Sequence, residues 1–167
     1  MRGTIILSIL LNIAIACSFK GPKNETDMGQ EEKMSRLKSE WKAKLSEEQY
    51  NICFLKGTEA PGTGKYDKFY EPGYYKCVVC GNRLFDSKTK YDSGSGWPSF
   101  YDMHSKSGLA FHRDTSYGMI RTEVTCANCG VHLGHLFEDG PRPTGLRYCI
   151  NSLSLEFVPD SSGITKN

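Results

Sequence analysis

Two Cys-x-x-Cys pairs constrain this chain more than any other feature. Cys77 and Cys80, followed by Gly81, form one, and Cys126 and Cys129, followed by Gly130, form the other, with 45 residues between them (81 to 125). Each has the form of a knuckle, and four thiolates suit a closed tetrahedral metal site with zinc as the fitting ion. The interval exceeds that of a compact ribbon, so the fold must bring two separate hairpins together. Such a zinc ion is structural, one per chain, with no position left for water. The alternative is a pair of disulfides. Zinc is the better reading, because a disulfide within Cys-x-x-Cys is strained and usually redox-active.

The surrounding sequence says what is being clamped. From Tyr74 onward there are short β-prone runs, at 74–77, 83–85, 109–112, 119–124 and 146–158, punctuated by Gly81-Asn82, Asp92-Ser93-Gly94 and Asp139-Gly140-Pro141. These predict a mainly antiparallel β domain. Leu37, Trp41 and Leu45 recur at helical spacing, and Ser46 with Gln49 forms a capping box opening a second helix through about Leu55, ended by Gly57. Residues 57–73, rich in Gly, Pro and Tyr, are expected to form a long loop. With 167 residues, 38% of them hydrophobic, one core is the expectation. A net charge of +2, from 21 interspersed basic and 19 acidic residues, provides no stripe for nucleic acid.

The apolar run of residues 4–16, after Arg2, is too short for a stable membrane span and reads as a signal peptide cleaved after Ala16. A secretory route follows, to the endoplasmic reticulum or outside the cell; a bacterial envelope lipoprotein attached through Cys17 is the alternative. Asn24-Glu25-Thr26 is a glycosylation sequon. Residues 17–34 are polar and read as a flexible linker, 35–160 as the domain and 161–167 as a disordered tail.

Of the seven cysteines, Cys17, Cys53 and Cys149 remain after the two pairs. Cys149 is the reactive candidate. If 146–158 is one strand, alternation puts Arg147, Cys149 and Asn151 on one face, which continues as Leu153, Leu155 and Phe157 and so becomes the core face. Arg147 is then placed to lower the thiol pKa. His132 and His135 are candidate acids, with Asp139 able to orient one imidazole; a surface location, or metal ligation, is the plainer alternative. Trp97 is either core or an aromatic wall, to which Phe137 can add.

Three segments, Tyr91-Asp92-Ser93-Gly94-Ser95-Gly96-Trp97-Pro98-Ser99-Phe100, His132-Leu133-Gly134-His135-Leu136-Phe137-Glu138-Asp139-Gly140-Pro141 and Arg147-Tyr148-Cys149-Ile150-Asn151-Ser152, resemble the motifs of the type B peptide methionine-R-sulfoxide reductases. The paired cysteines match that family's zinc site, and Lys56-Gly57-Thr58-Glu59 matches its opening segment. The resemblance covers about Leu45 to Phe157 and is nearest the animal type B3 form. It implies two antiparallel sheets with few helices, a zinc clamp remote from the reactive thiol, and a monomer that reduces the R epimer of methionine sulfoxide, free or in proteins. Cys149 would then attack the sulfoxide sulfur, His132 or His135 would protonate the departing oxygen, and Asn151 would donate to it. Trp97 and Phe137 would pack the substrate methyl group.

The resulting Cys149 sulfenic acid must be reduced. Many members carry a second cysteine just before Gly-Trp-Pro-Ser-Phe, where this chain has Ser95. Two routes remain: Cys53 condenses with the sulfenic acid and a thioredoxin-like reductant reopens the disulfide, or a small external thiol attacks directly.

Overall fold

The computed structural model describes residues 25–160. The signal peptide, the first part of the linker and the tail expected from the sequence lie outside them. Among the described residues no helix is long and apolar enough to cross a membrane.

Two helices precede nine strands. Helix α1 (Glu25–Trp41) begins about ten residues before the expected start of folded structure, so residues 25–34 are helical rather than linker. Lone polar composition misled here: Met34, Leu37 and Trp41, at 3–4 spacing, pack on the core, and Glu32 with Arg36 pairs one turn apart on the exposed side at 2.6 Å. Helix α2 (Glu47–Leu55) opens with the predicted capping box, Gln49 N–H donating to Ser46 Oγ at 3.1 Å and Ser46 N–H to Gln49 Oε1 at 3.2 Å. It closes on Lys56, a left-handed residue (φ 60°), one position before the expected Gly57.

The strands are β1 (Gly73–Cys77), β2 (Arg83–Asp86), β3 (Lys90–Tyr91), β4 (Ser99–Phe100), β5 (Leu109–Asp114), β6 (Arg121–Cys126), β7 (His132–Phe137), β8 (Arg147–Ile150) and β9 (Leu155–Pro159). They form two antiparallel sheets, β2-β1-β9 and β3-β4-β8-β7-β6-β5. The mainly β, two-sheet architecture is therefore as expected. Aromatic rings join the sheets: Phe85 stacks on Phe100 with centroids 4.3 Å apart, Tyr75 meets Phe100 edge-on at 5.1 Å, and Phe85 lies 5.7 Å from Tyr148. Such pairs add roughly 0.5–1.5 kcal/mol each beyond the area they bury.

The run 146–158 is two strands, not one. After Ile150 the chain makes a 3-10 turn at Ser152–Ser154 and enters the other sheet as β9. Ser154 Oγ donates to Asn151 O at 2.8 Å, and the Glu59 carboxylate accepts from the backbone N–H groups of Ser152 (2.6 Å) and Leu153 (3.1 Å). These bonds replace strand pairing, and the continuous face predicted from Cys149 to Phe157 does not exist. On β8 the core residues are Tyr148 and Ile150, both buried, while Arg147 and Cys149 are half-buried on the opposite face.

Candidate functional site

Directly opposed residues of antiparallel strands share a face, so the register defines the row in which Cys149 sits. Cys149 pairs with His135 on β7 and with Ser99 on β4; His135 in turn faces Glu123 on β6, and Ser99 faces Tyr91 on β3. Cβ atoms of such directly opposed residues lie about 4.5–5.5 Å apart. The close approach of β7 to β8 depends on Gly134, because a Cβ there would collide with the Cys149 carbonyl oxygen and the Ile150 backbone.

On the other flank the motif that contains Trp97 folds over the thiol. Ser95 Oγ lies 3.8 Å from Cys149 Sγ, and Ser93 Oγ bonds both Ser95 Oγ (2.8 Å) and Ser99 Oγ (2.7 Å). The half-buried indole of Trp97 donates from Nε1 to Glu59 O at 3.0 Å. Gly96, at φ 90°, presses against the Gly62 nitrogen and Pro61, where a Cβ would not fit. Trp97 is therefore an anchored, partly exposed ring beside the thiol loop.

Arg147 does not act on Cys149 alone. Its Nε and its terminal nitrogen donate to the two Asp139 carboxylate oxygens, both at 2.8 Å, and its guanidinium lies 4.2 Å over the half-buried Phe137 ring. Asp139 thus orients the arginine and neither imidazole, which corrects the sequence expectation. The consequence reaches the thiol. Burial pushes Cys149 above an ordinary thiol, the Ser95 hydroxyl and Arg147 pull it back, and burial prevails. The pull of Arg147 on the thiol expected from the sequence is present but is outweighed by burial.

The two imidazoles are held by carboxylates that sequence reasoning missed. His135 Nε2 bonds Asp114 Oδ2 at 2.8 Å, and Asp114 also accepts from Arg121 at 2.7 Å and from Ser116 N–H at 2.9 Å. His132 Nδ1 bonds Glu123 Oε1 at 2.9 Å, and Glu123 Oε2 accepts from Lys56 Nζ at 2.6 Å. The rings are 5.4 Å apart. His132 is 97% buried, being 3% exposed, and its Nε2 has no partner. Burial lowers the His135 pKa more than Asp114 restores it, leaving a neutral ring at pH 7. Burial would raise Glu123, but its bonds to His132 and Lys56 outweigh it and hold the carboxyl at about 2. A groove of about 550 Å³ runs over both histidines.

Asn151 is not a free donor to a ligand in the expected way. Its Oδ1 accepts from Glu59 N–H at 3.1 Å and its Nδ2 donates to Leu133 O at 3.0 Å, so the buried amide ties the 56–59 segment to β7. Cys53 lies inside the core on α2, where burial pushes its thiol up to about 12. Both features run against a role as a resolving thiol.

Where β1 and β6 end, Cys77, Cys80, Cys126 and Cys129 place their sulfurs within 4.8 Å of one another. Two cross pairs, Cys77 with Cys129 and Cys80 with Cys126, are 3.7 and 3.5 Å apart. That is close to the ~3.8 Å edge of a tetrahedron with metal–sulfur bonds of about 2.3 Å, and far from a disulfide bond. Asn82 Nδ2 donates to Cys126 Sγ at 3.5 Å, and hydrogen bonds with Cys129 first and Cys77 second hold Cys126 below an ordinary thiol. The set fits a metal ion, and none of the four cysteines is in a disulfide.

Comparison with known proteins covers most of the chain. A family model, the SelR domain, matches residues 45–159. The MsrB peptide methionine sulfoxide reductase of Pseudomonas syringae pv. syringae strain B728a is 58% identical over 130 residues, 78% of this chain and 99% of that protein. The proteins of the same name from Pseudomonas putida strain W619 (59% over 128 residues, 77% and 96%) and Pseudomonas fluorescens strain Pf-5 (57% over 128 residues, 77% and 98%) are similarly close. With the two-sheet fold, the thiol row and the four-cysteine cluster all lying within the matched span, the chain belongs to the SelR-domain family of MsrB peptide methionine sulfoxide reductases.

Proposed function

We propose that this chain reduces the R epimer of methionine sulfoxide, in proteins or free, with Cys149 as nucleophile. One observation carries the reading: His135 stands directly across from Cys149, with Ser95 Oγ 3.8 Å from the sulfur on the other side. A resting thiol opposite a neutral imidazole gives a balanced reaction. His135 takes the thiol proton as Cys149 attacks the sulfoxide sulfur and returns it to the oxygen of the adduct. The hydroxyl then passes to the Cys149 sulfur, the new S–O bond forming as the S–S bond of the adduct and the substrate S–O bond break. The thiol and sulfoxide become a sulfenic acid and a thioether, with no proton drawn from outside.

Asp114 and Glu123 hold the imidazoles in position, and each carboxylate is balanced by a cation, Arg121 or Lys56. Trp97 and Phe137 wall the substrate methyl group, and Asn151 supports that wall through its bond to Glu59. With Cys53 in the core and Ser95 unable to form a disulfide, an external thiol completes the cycle. Two equivalents convert the sulfenic acid to thiol, with water and a disulfide released.

Zinc is the ion that suits four thiolates at tetrahedral spacing, one per chain, and its role is to clamp the β1–β2 and β6–β7 connections. The type B3 subtype rests on the likeness of the motifs, and a secretory, endoplasmic-reticulum location on the apolar leader. A monomer is the assembly proposed.

The deciding assay supplies purified protein with separated R and S methionine sulfoxides and dithiothreitol. The expected result is turnover of the R epimer only, abolished by Cys149→Ser with zinc content retained at one per chain. Residual turnover in that variant would remove Cys149 from the mechanism.

A further inference from the structure

The groove over His132 and His135 has a second, apolar rim that the reaction itself does not require. Leu55, at the end of α2, is 60% exposed, Tyr117, at the tip of the β5–β6 hairpin, is 88% exposed, and both line the groove. Isolated exposed apolar residues are ordinary, but Tyr117 is not ordinarily placed. It sits at φ 54°, followed by Gly118 at φ 72°, a consecutive left-handed pair where Asn-Gly is the unstrained choice. A bulky aromatic residue there costs of order 1 kcal/mol or more, and such strain is retained where the side chain has work to do.

The groove floor excludes a charged occupant. Its ionic groups neutralise one another, Lys56 with Glu123 and Arg121 with Asp114. What remains uncommitted is apolar surface at the rim, one unpartnered donor below it, Arg121 Nε, and one unpartnered acceptor, His132 Nε2, whose ring donates from Nδ1 to Glu123. Apolar side chains and carbonyl acceptors are what an extended, uncharged polypeptide offers.

We propose that Leu55 and Tyr117 form a docking rim for the polypeptide that carries the sulfoxide, gripping apolar residues that flank it. The proposal rests on the Cys149 reading above, because the same groove reaches His135 and His135 faces Cys149. A chain that presents its sulfoxide between Cys149 and His135 continues along the groove past Leu55 and Tyr117. A free amino acid reaches the thiol without meeting either.

The test compares two substrates, a blocked pentapeptide with leucine on both sides of methionine-R-sulfoxide, and N-acetyl-methionine-R-sulfoxide. Tyr117→Asn removes the ring while relieving the backbone, since asparagine tolerates the left-handed conformation. It should keep or raise the thermal midpoint yet lower kcat/KM for the peptide about tenfold, with the blocked amino acid unchanged within about twofold. Leu55→Gln should act in the same direction. Tyr70→Asn is the control, because Tyr70 is 50% exposed and does not line this groove, and it should leave both substrates unaffected. Undiminished peptide turnover in Tyr117→Asn, or an equal fall on both substrates, would overturn the proposal. Parent turnover of the blocked amino acid reports independently on the Cys149 reading.

Discussion

Glu123→Gln isolates the carboxylate beneath His132. The side chain is 4% exposed, accepts from His132 Nδ1 and Lys56 Nζ, and is held at about 2 against an ordinary 4.5. A folded-state value below the unfolded one contributes stability that is fully present above pH 4.5 and lost as pH falls through 2. The difference, about 2.5 units at 1.36 kcal/mol each, bounds the contribution at about 3 kcal/mol at pH 7. Glutamine keeps the shape and one acceptor but does not titrate. Urea unfolding at pH 7 should therefore show the variant less stable by about 2–3 kcal/mol, a midpoint shift of about 1–3 M. At pH 3 the gap should shrink to about half, because the parent carboxylate is then protonated in much of the unfolded ensemble. Lys56, two-thirds exposed, regains water at little cost, so the loss resides in the buried bond to His132. An equal gap at both pH values would mean that the effect is packing, and the ion-pair reasoning would fail.

Ser95→Cys places a thiol where an oxygen already lies 3.8 Å from the Cys149 sulfur; it should give a 95–149 disulfide after one turnover without reductant, seen as the loss of two titratable thiols, and its absence would mean that the loop cannot close the remaining gap. Cys53→Ala should leave dithiothreitol-dependent turnover unchanged and cost about 1–2 kcal/mol of stability, as a small cavity in the core does. A turnover loss without a matching stability loss would restore Cys53 to the mechanism.

Where the sequence carried its structure locally, the fold was legible. The Ser46 and Gln49 side chains satisfy each other's backbone whatever surrounds them, and the paired cysteines could be brought together only by hairpins. Strand β7 was missed because His132-Leu133-Gly134-His135-Leu136-Phe137 has a glycine and two histidines in place of β-branched residues; its strand character is imposed by β6 and β8 on either side. Strand β6 runs through Cys126, two residues beyond its expected end, since the second knuckle prolongs the hairpin it turns. The break after Ile150 did leave a trace, for Asn151-Ser152-Leu153-Ser154 is the kind of sequence whose side chains capture their own backbone. Apolar alternation on both sides of it hid that trace.

The imidazole partners show why the rest of the site was not legible. Asp139 lies four residues from His135 and invites pairing, yet Phe137 faces Arg147 across the β7–β8 hairpin, which brings Arg147 to Asp139 first. A carboxylate satisfied by a bidentate arginine has little left to offer a histidine. The acids that do hold the rings come from β5 and β6, 21 residues before His135 in the case of Asp114 and 9 before His132 in the case of Glu123. Only the register selects them: Asp114 opposes Arg121, Glu123 opposes His135, and a slip of one residue would turn all of these side chains to the other face. That register is set by the buried core face, where Val124 and Tyr148 allow no slip. The packing that excludes water from the interior thus also decides which acid meets which base on the opposite side of the same sheet.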